Sequence, residues 1–188
     1  MITATITRRV SMLAAFALIP SAFAASTAIT TEQLEIEKEG VQLIRQVEEV
    51  ARDVRYNAGR LNSFTSSMQI SKWTHVHHLD QIKSLVNDGL RPALTRLEEI
   101  QPQLPDWKQA AIERMMTSAK ALAADVNDAI LTKNEAGTTP PAMNAEYKGL
   151  VTRIYAHAEA LVKTSDAAGT YAAARLKAHE AGVKVPRT

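Results

Sequence analysis

The sequence predicts an all-α protein, an up-down-up-down antiparallel four-helix bundle with long helices. Three observations support this fold class. Apolar residues recur at helical spacing in four long segments, the alternation typical of strands is absent, and turn-forming residues gather near 68–72, 101–105 and 135–140. Because short connections make consecutive helices run in opposite directions, four amphipathic helices bury their apolar faces most simply against one another.

The first predicted helix runs from about Glu32 to Met68. Thr30 and Gln33 have the spacing of a capping box at its start, in which each side chain accepts a hydrogen bond from a backbone N–H. The polar residues between the apolar positions indicate that the opposite face meets water. The predicted apolar face consists of Val47, Ala51, Val54, Ala58, Leu61 and Met68.

The second predicted helix spans about Lys72 to Ile100 and contains two residues that disfavour a regular helix. Pro92 has no N–H to donate and Gly89 has low helix propensity, so a kink is expected near Asn87–Gly89. The apolar face of this segment consists of Leu79, Ile82, Val86, Leu90, Ala93, Leu97 and Ile100.

The third predicted helix begins at Asp106 and stops at Gly137. The Asp106 carboxylate is expected to cap it while Gln109 reaches back, and glycine is the preferred residue just after a helix. The apolar face consists of Ile112, Met115, Ala119, Leu122, Val126 and Ala129.

The fourth predicted helix starts after Thr139, with Pro140 at its first position, and ends at Gly182 and Pro186. The stretch Thr164–Thr170 contains Ser165, Asp166 and Gly169, and leaves open whether this helix is split. Its apolar face consists of Tyr147, Leu150, Ile154, Ala158 and Leu161.

Residues 1–24 have the pattern of a cleavable signal peptide. Arg8 and Arg9 form a basic start, Val10 to Ile19 form an apolar core, and Ala22-Phe23-Ala24 is a small-x-small cleavage site. The apolar core is far shorter than the roughly 20 residues of a membrane-spanning helix. We therefore predict export to the periplasm or the medium, no stable membrane anchor after cleavage, and one bundle domain over residues 25–188.

Composition restricts the functions of that domain. Removing Arg8 and Arg9 leaves 20 basic against 20 acidic residues, so no basic field favours nucleic acid. The chain has no cysteine, which excludes disulfides, thiolate catalysis and covalent haem attachment through a Cys-x-x-Cys-His motif.

The sharpest local feature is a histidine cluster, Trp73-Thr74-His75-Val76-His77-His78. His75 and His78 are three residues apart and share a helix face, so they could present two imidazoles to one metal ion. The antiparallel fold places Tyr147, Asp125 and neighbouring acidic residues in the same layer, where a mixed imidazole–carboxylate site could form. The competing interpretation is a solvated helix end.

His157 suggests a different ligand. It lies between two apolar positions of the fourth predicted helix, as the haem-binding histidine of some bundle proteins does, and Met115 or Met116 could supply a second ligand. The more ordinary interpretation is a core-edge histidine bonded to a polar neighbour.

Enzyme motifs are absent from the sequence: it has no Gly-x-Gly-x-x-Gly, no phosphate loop, no Gly-x-Ser-x-Gly and no His-Glu-x-x-His. We therefore expect a non-enzymatic binding or accessory protein without a resident cofactor, which binds an unknown protein or small molecule. The alternative is a metal- or haem-binding bundle that uses His75 and His78 or His157.

The signal peptide makes a direct prediction. N-terminal sequencing of the protein recovered from the envelope or the medium should begin at Ala25, because the cleavage site ends at Ala24. Membrane-bound material that still begins at Met1 would contradict it.

Overall fold

The computed structural model describes residues 31–137 and 139–181, so the predicted signal segment and the capping position Thr30 lie outside it. Its described residues contain no strand. The α-helices are α1 (Thr31–Phe64), α2 (Lys72–Ser84), α3 (Arg91–Ile100), α4 (Asp106–Glu135) and α5 (Ala145–Glu180). A π-helical turn over Leu85–Leu90 joins α2 to α3, and these three elements are called the second segment below.

The four long segments pack side by side as a helical bundle, which confirms the all-α fold class. α5 packs against α1 and α4, and the second segment packs against the same two helices. Contacts between α1 and α5 run in opposite residue order: Arg52 lies 3.5 Å from Asp166, and Asn62 lies 3.2 Å from Thr152. None of the described helices is long and apolar enough to cross a membrane.

The apolar faces predicted from the sequence are buried in the bundle, with one exception. Ile82, Leu122 and Ile154, from three different segments, are completely buried in the core. Met68 is instead 67% exposed, because α1 ends at Phe64 and Met68 lies in the following loop. Helical spacing therefore identified these core positions, but it predicted the end of the first helix about one turn too late.

The irregularity predicted in the second segment is present as the π-helical turn. The N–H of Arg91 donates to the carbonyl of Val86, five residues earlier, and Pro92 follows directly. A wider turn at this point lets the chain continue as a helix past a residue that cannot donate. Gly89 faces α1 here, and a Cβ at this position would lie 2.7 Å from a methyl group of Val50.

The start of α4 differs from the prediction in one respect. α4 begins at Asp106, but Pro105 is the N-cap residue and no side chain caps the helix. Asp106 is thus the first helical residue. Its negative charge interacts favourably with the helix dipole, but its side chain accepts no capping hydrogen bond. Gln109 does reach back and donates to the carbonyl of Leu104 at 2.8 Å. Gly137, with a φ of +56°, ends the helix as predicted.

α5 begins later than predicted and is not split. Pro140 precedes a short 3₁₀ turn, Pro141–Met143, and the side chain of Asn144 then accepts the N–H of Tyr147 at 3.0 Å, as an N-cap does. The helix continues through the Thr164–Thr170 stretch, and within it the hydroxyl of Ser165 donates to the carbonyl of Leu161. The predicted terminator residues, Gly182 and Pro186, lie outside the described part of the chain.

The close approach of Gly89 to Val50 predicts that replacing this helical glycine by alanine destabilises the protein, whereas the same change normally stabilises a helix. Gly89→Ala should lower the free energy of unfolding by about 1–3 kcal/mol, because the added methyl group forces α1 or the π-helical turn to shift. Gly149→Ala is the matched control, since the nearest atom to its Cβ lies 3.9 Å away on Arg153. That variant should be unchanged or up to about 1 kcal/mol more stable, because alanine favours a helix over glycine. Urea unfolding measures both, and equal stabilities would contradict the prediction.

Candidate functional site

A groove of about 350 Å³ lies between the second segment and α4. Its apolar lining consists of Val86, Leu90, Leu94, Met116, Ala119 and Ala123. Its polar lining consists of Asn87, Arg91, Thr95, Glu98 and Lys120. Small-molecule sites typically occupy about 300–1,000 Å³ and combine an apolar lining with a few polar groups, and this groove fits that description.

Side-chain size and the π-helical turn together create the groove. Ala119 and Ala123 are four residues apart and therefore lie on one face of α4, where they leave space that larger side chains would fill. Opposite them, Leu90 and Leu94 are likewise four apart and straddle the end of the π-helical turn. π-helical turns are frequent at functional sites, because they displace a helix face that would otherwise pack regularly.

The charged residues at the groove have no ion-pair partners within the described residues. Neither Arg91 nor Lys120 has a carboxylate oxygen within 4.0 Å there, and Glu98 has no basic partner either. Some arginines elsewhere in the bundle are paired, such as Arg96, which binds Glu39 at 2.6 Å. The groove thus carries two cations and one carboxylate that are unpaired among the described residues.

Sequence reasoning did not find this site. It named the irregularity at 87–89 and placed Ala119 on the apolar face of the third predicted helix, but it did not connect the two. The usable signal was an alanine pair on one helix facing a predicted break in its neighbour.

His75 is completely buried at the other candidate site, near the first loop of the bundle. Its Nδ1 lies 3.1 Å from the hydroxyl of Tyr147, whereas its Nε2 is buried without a hydrogen-bond partner. Burial lowers the pKa of His75 and the nearby His78 lowers it further, so the imidazole is neutral at pH 7. Burial also raises the pKa of Tyr147, which keeps its hydroxyl protonated.

His78 shares the helix face with His75 but has a different polar partner. Its Nδ1 lies 3.1 Å from the side-chain oxygen of Asn57 on α1. Burial lowers the pKa of His78, and the nearby His77 and Arg60 contribute in the same direction. Nε2 of His75 therefore remains as a nitrogen that could bind a metal ion, whereas His78 also forms a side-chain hydrogen bond with Gln81.

The carboxylate of Asp125, which was expected in the same layer as His75, contacts other residues. Asp125 accepts from Arg153 at 2.9 Å and lies 3.3 Å from Nε2 of His157. Across the ranges 31–137 and 139–181, no group of three histidine or acidic side chains is placed to hold a metal ion. The structure thus brings together two of the predicted ligands, His75 and His78, without a third.

His157 lies at the edge of the core, with its side chain 32% exposed. Its Nε2 is next to the Asp125 carboxylate, so a haem iron would have to displace that contact. Of the two methionines proposed as a second haem ligand, Met115 is completely buried, whereas Met116 lines the groove described above.

No family model matches the sequence, and neither a curated protein nor a solved structure does. The function is therefore inferred from the geometry of the groove and of the histidine cluster.

The predicted metal site has a specific test, zinc calorimetry at neutral pH. The His75→Ala/His78→Ala double variant should lose the binding that the parent protein shows. His77→Ala is the control, because His77 is exposed and stacks on Trp73 at the surface. Imidazole binds metal only when neutral, and burial lowers the pKa of both histidines, so binding should persist below pH 6.5, the ordinary value for histidine. A flat titration of the parent protein would retire the metal prediction.

Proposed function

We propose that this is an exported, non-enzymatic helical bundle that binds a small molecule in the groove between the second segment and α4. The observation that carries the proposal is the groove itself, in which an apolar lining adjoins uncompensated cations. Leu90, Leu94 and Ala119 are already buried in the bundle. Partly buried Met116 and Ala123 contribute apolar surface that remains accessible at the groove, and a ligand would remove this surface from water.

We further propose the up-down-up-down antiparallel arrangement for the four segments. It is supported by the pairing between the second segment and α4: Gln101 lies 3.4 Å from Glu113, and Lys72 lies 2.7 Å from the carbonyl of Gly137. Residue numbers therefore rise along one partner as they fall along the other. The same reversal relates α1 to α5, and short loops join consecutive segments.

A binding role is favoured over catalysis by the chemistry of the groove. Its described lining contains one carboxylate, Glu98, and no histidine, so it offers neither a carboxylate pair nor a histidine base beside a hydroxyl nucleophile. Six of its eleven lining residues are apolar, which suits retention of a ligand rather than its conversion. Export is proposed on the signal-peptide pattern of residues 1–24.

A metal- or haem-binding bundle is the second candidate. The observation that favours it is Nε2 of His75, a buried nitrogen without a hydrogen-bond partner. Buried polar atoms usually have hydrogen-bond partners, so a metal ion bound to this nitrogen would account for its lack of one. For haem, His157 is the residue in question, and an absorbance spectrum of protein purified from its native compartment distinguishes this candidate from the groove.

The groove is tested with a neutral fluorescent probe, N-phenyl-1-naphthylamine, whose emission rises in apolar surroundings. Ala123→Leu should weaken its binding at least tenfold, because the longer side chain fills the groove. Ala124→Leu is the matched control, since Ala124 is the next residue on α4 but is exposed and does not line the groove. A probe that fails to bind the parent protein, or that binds both variants equally, would overturn the proposed function.

A further inference from the structure

The chemistry of the groove narrows the class of ligand, if the proposed function is accepted as the starting point. We propose that the ligand is a single-chain amphipathic carboxylate, with its headgroup between Arg91 and Lys120 and its alkyl chain along the apolar floor. This proposal commits to a fatty-acid-like anion. A neutral apolar compound is the alternative that the experiment below separates from it.

The first support is the relative height of the two cations along the bundle. Gln101 lies beside Glu113 near one end of the interface, and Lys72 lies beside Gly137 near the other. Interpolating between these two contacts places Arg91 opposite Lys120. Both residues line the groove, one from each wall, so their charged groups flank the same opening.

The second support is the charge balance of this opening. Within the described residues neither Arg91 nor Lys120 forms an ion pair, so each charge is balanced by solvent alone. Glu98, the acidic lining residue, is seven positions after Arg91, which is about 10 Å along a helix and too far for an ion pair. An anion between the two cations would interact favourably with both, and a carboxylate can accept hydrogen bonds from a guanidinium at two oxygens.

The third support is the floor beneath these cations. Leu90 and Leu94 line it from the second segment, and both are buried. Met116 and Ala123 line it from α4 and are only partly buried, so they offer apolar surface to a ligand. An unbranched alkyl chain matches such a narrow groove, and each methylene that leaves water contributes to binding. Met116 has a flexible side chain that can adapt to chains of different length.

A charged rim above an apolar floor therefore recognises both halves of an amphipathic anion. The competing explanation is that Arg91 and Lys120 are ordinary solvated surface cations, which contribute little to any contact. The two explanations differ in one measurable quantity, the preference of the groove for a charged over an uncharged headgroup on the same alkyl chain.

The experiment compares decanoate with decanol by calorimetry at neutral pH and low salt. The parent protein should bind decanoate at least tenfold more tightly than decanol. In the Arg91→Gln/Lys120→Gln double variant this preference should fall below about threefold, since the alkyl chain still binds but the headgroup has lost both cations. Circular dichroism of each variant confirms that helix content is retained.

The matched control is the Lys83→Gln/Arg114→Gln double variant. It also removes one cation from the second segment and one from α4, but both residues are exposed and neither lines the groove. It should keep the full preference for decanoate. A loss of preference in this control equal to that in the groove variant would show a general charge effect and overturn the proposal.

The remaining outcomes separate the ligand class from the proposed function. Equal binding of decanoate and decanol, both weakened by Ala123→Leu, would overturn the anionic headgroup and leave the groove as a binding site. No binding of either compound, together with no binding of the neutral fluorescent probe, would overturn the proposed function as well.

Discussion

Pro92 has no backbone N–H, so the second segment cannot keep an unbroken α-helical hydrogen-bond ladder through the middle of the bundle. The chain continues as a helix because the π-helical turn immediately before it changes the bonding pattern. This turn has two consequences on opposite sides. Towards α1 it brings the backbone of Gly89 against Val50, and towards α4 it leaves the groove. The irregularity at Pro92 thus adjoins both a close approach to α1 and the groove towards α4.

The ion pairs of the bundle are also distributed unevenly between these two sides. Where α1 meets α5 and α3, exposed ion pairs join neighbouring helices, such as Arg52 with Asp166 and Arg96 with Glu39. Across the groove, none of the three charged lining residues is paired within the described residues. Exposed cations cost little without a partner, because water solvates them. The unpaired charges at the groove therefore cost the fold little.

The sequence allowed the all-α class and most of the core to be predicted, because apolar spacing is a local property of each helix. The helix starts were harder to predict: α5 begins at Ala145, after the capping residue Asn144, and not at Pro140, because a 3₁₀ turn lies between them. The groove and the buried Lys108 could not be predicted at all. Lys108 is 2% exposed and lies 3.3 Å from Glu37, a residue far away in the sequence, so its burial depends on packing between helices. Periodicity within one helix holds no information about which small side chains will face a break in another.

Two buried polar atoms that lack hydrogen-bond partners lie near helix starts, away from the middle of the core. Nε2 of His75 and Nε1 of Trp107 are buried without partners in the described structure, one near the start of α2 and the other near the start of α4. Each such atom costs about 1–3 kcal/mol, which the long apolar faces between them can offset. Burial lowers the pKa of His75 and keeps it neutral, so the cost is that of a missing hydrogen bond and not of a buried charge.

This lowered pKa also makes the stability of the fold depend on pH. The unfolded chain takes up a proton at His75 near pH 6.5, whereas the folded chain does so only at lower pH. The free energy of unfolding therefore decreases as the pH falls below 6.5.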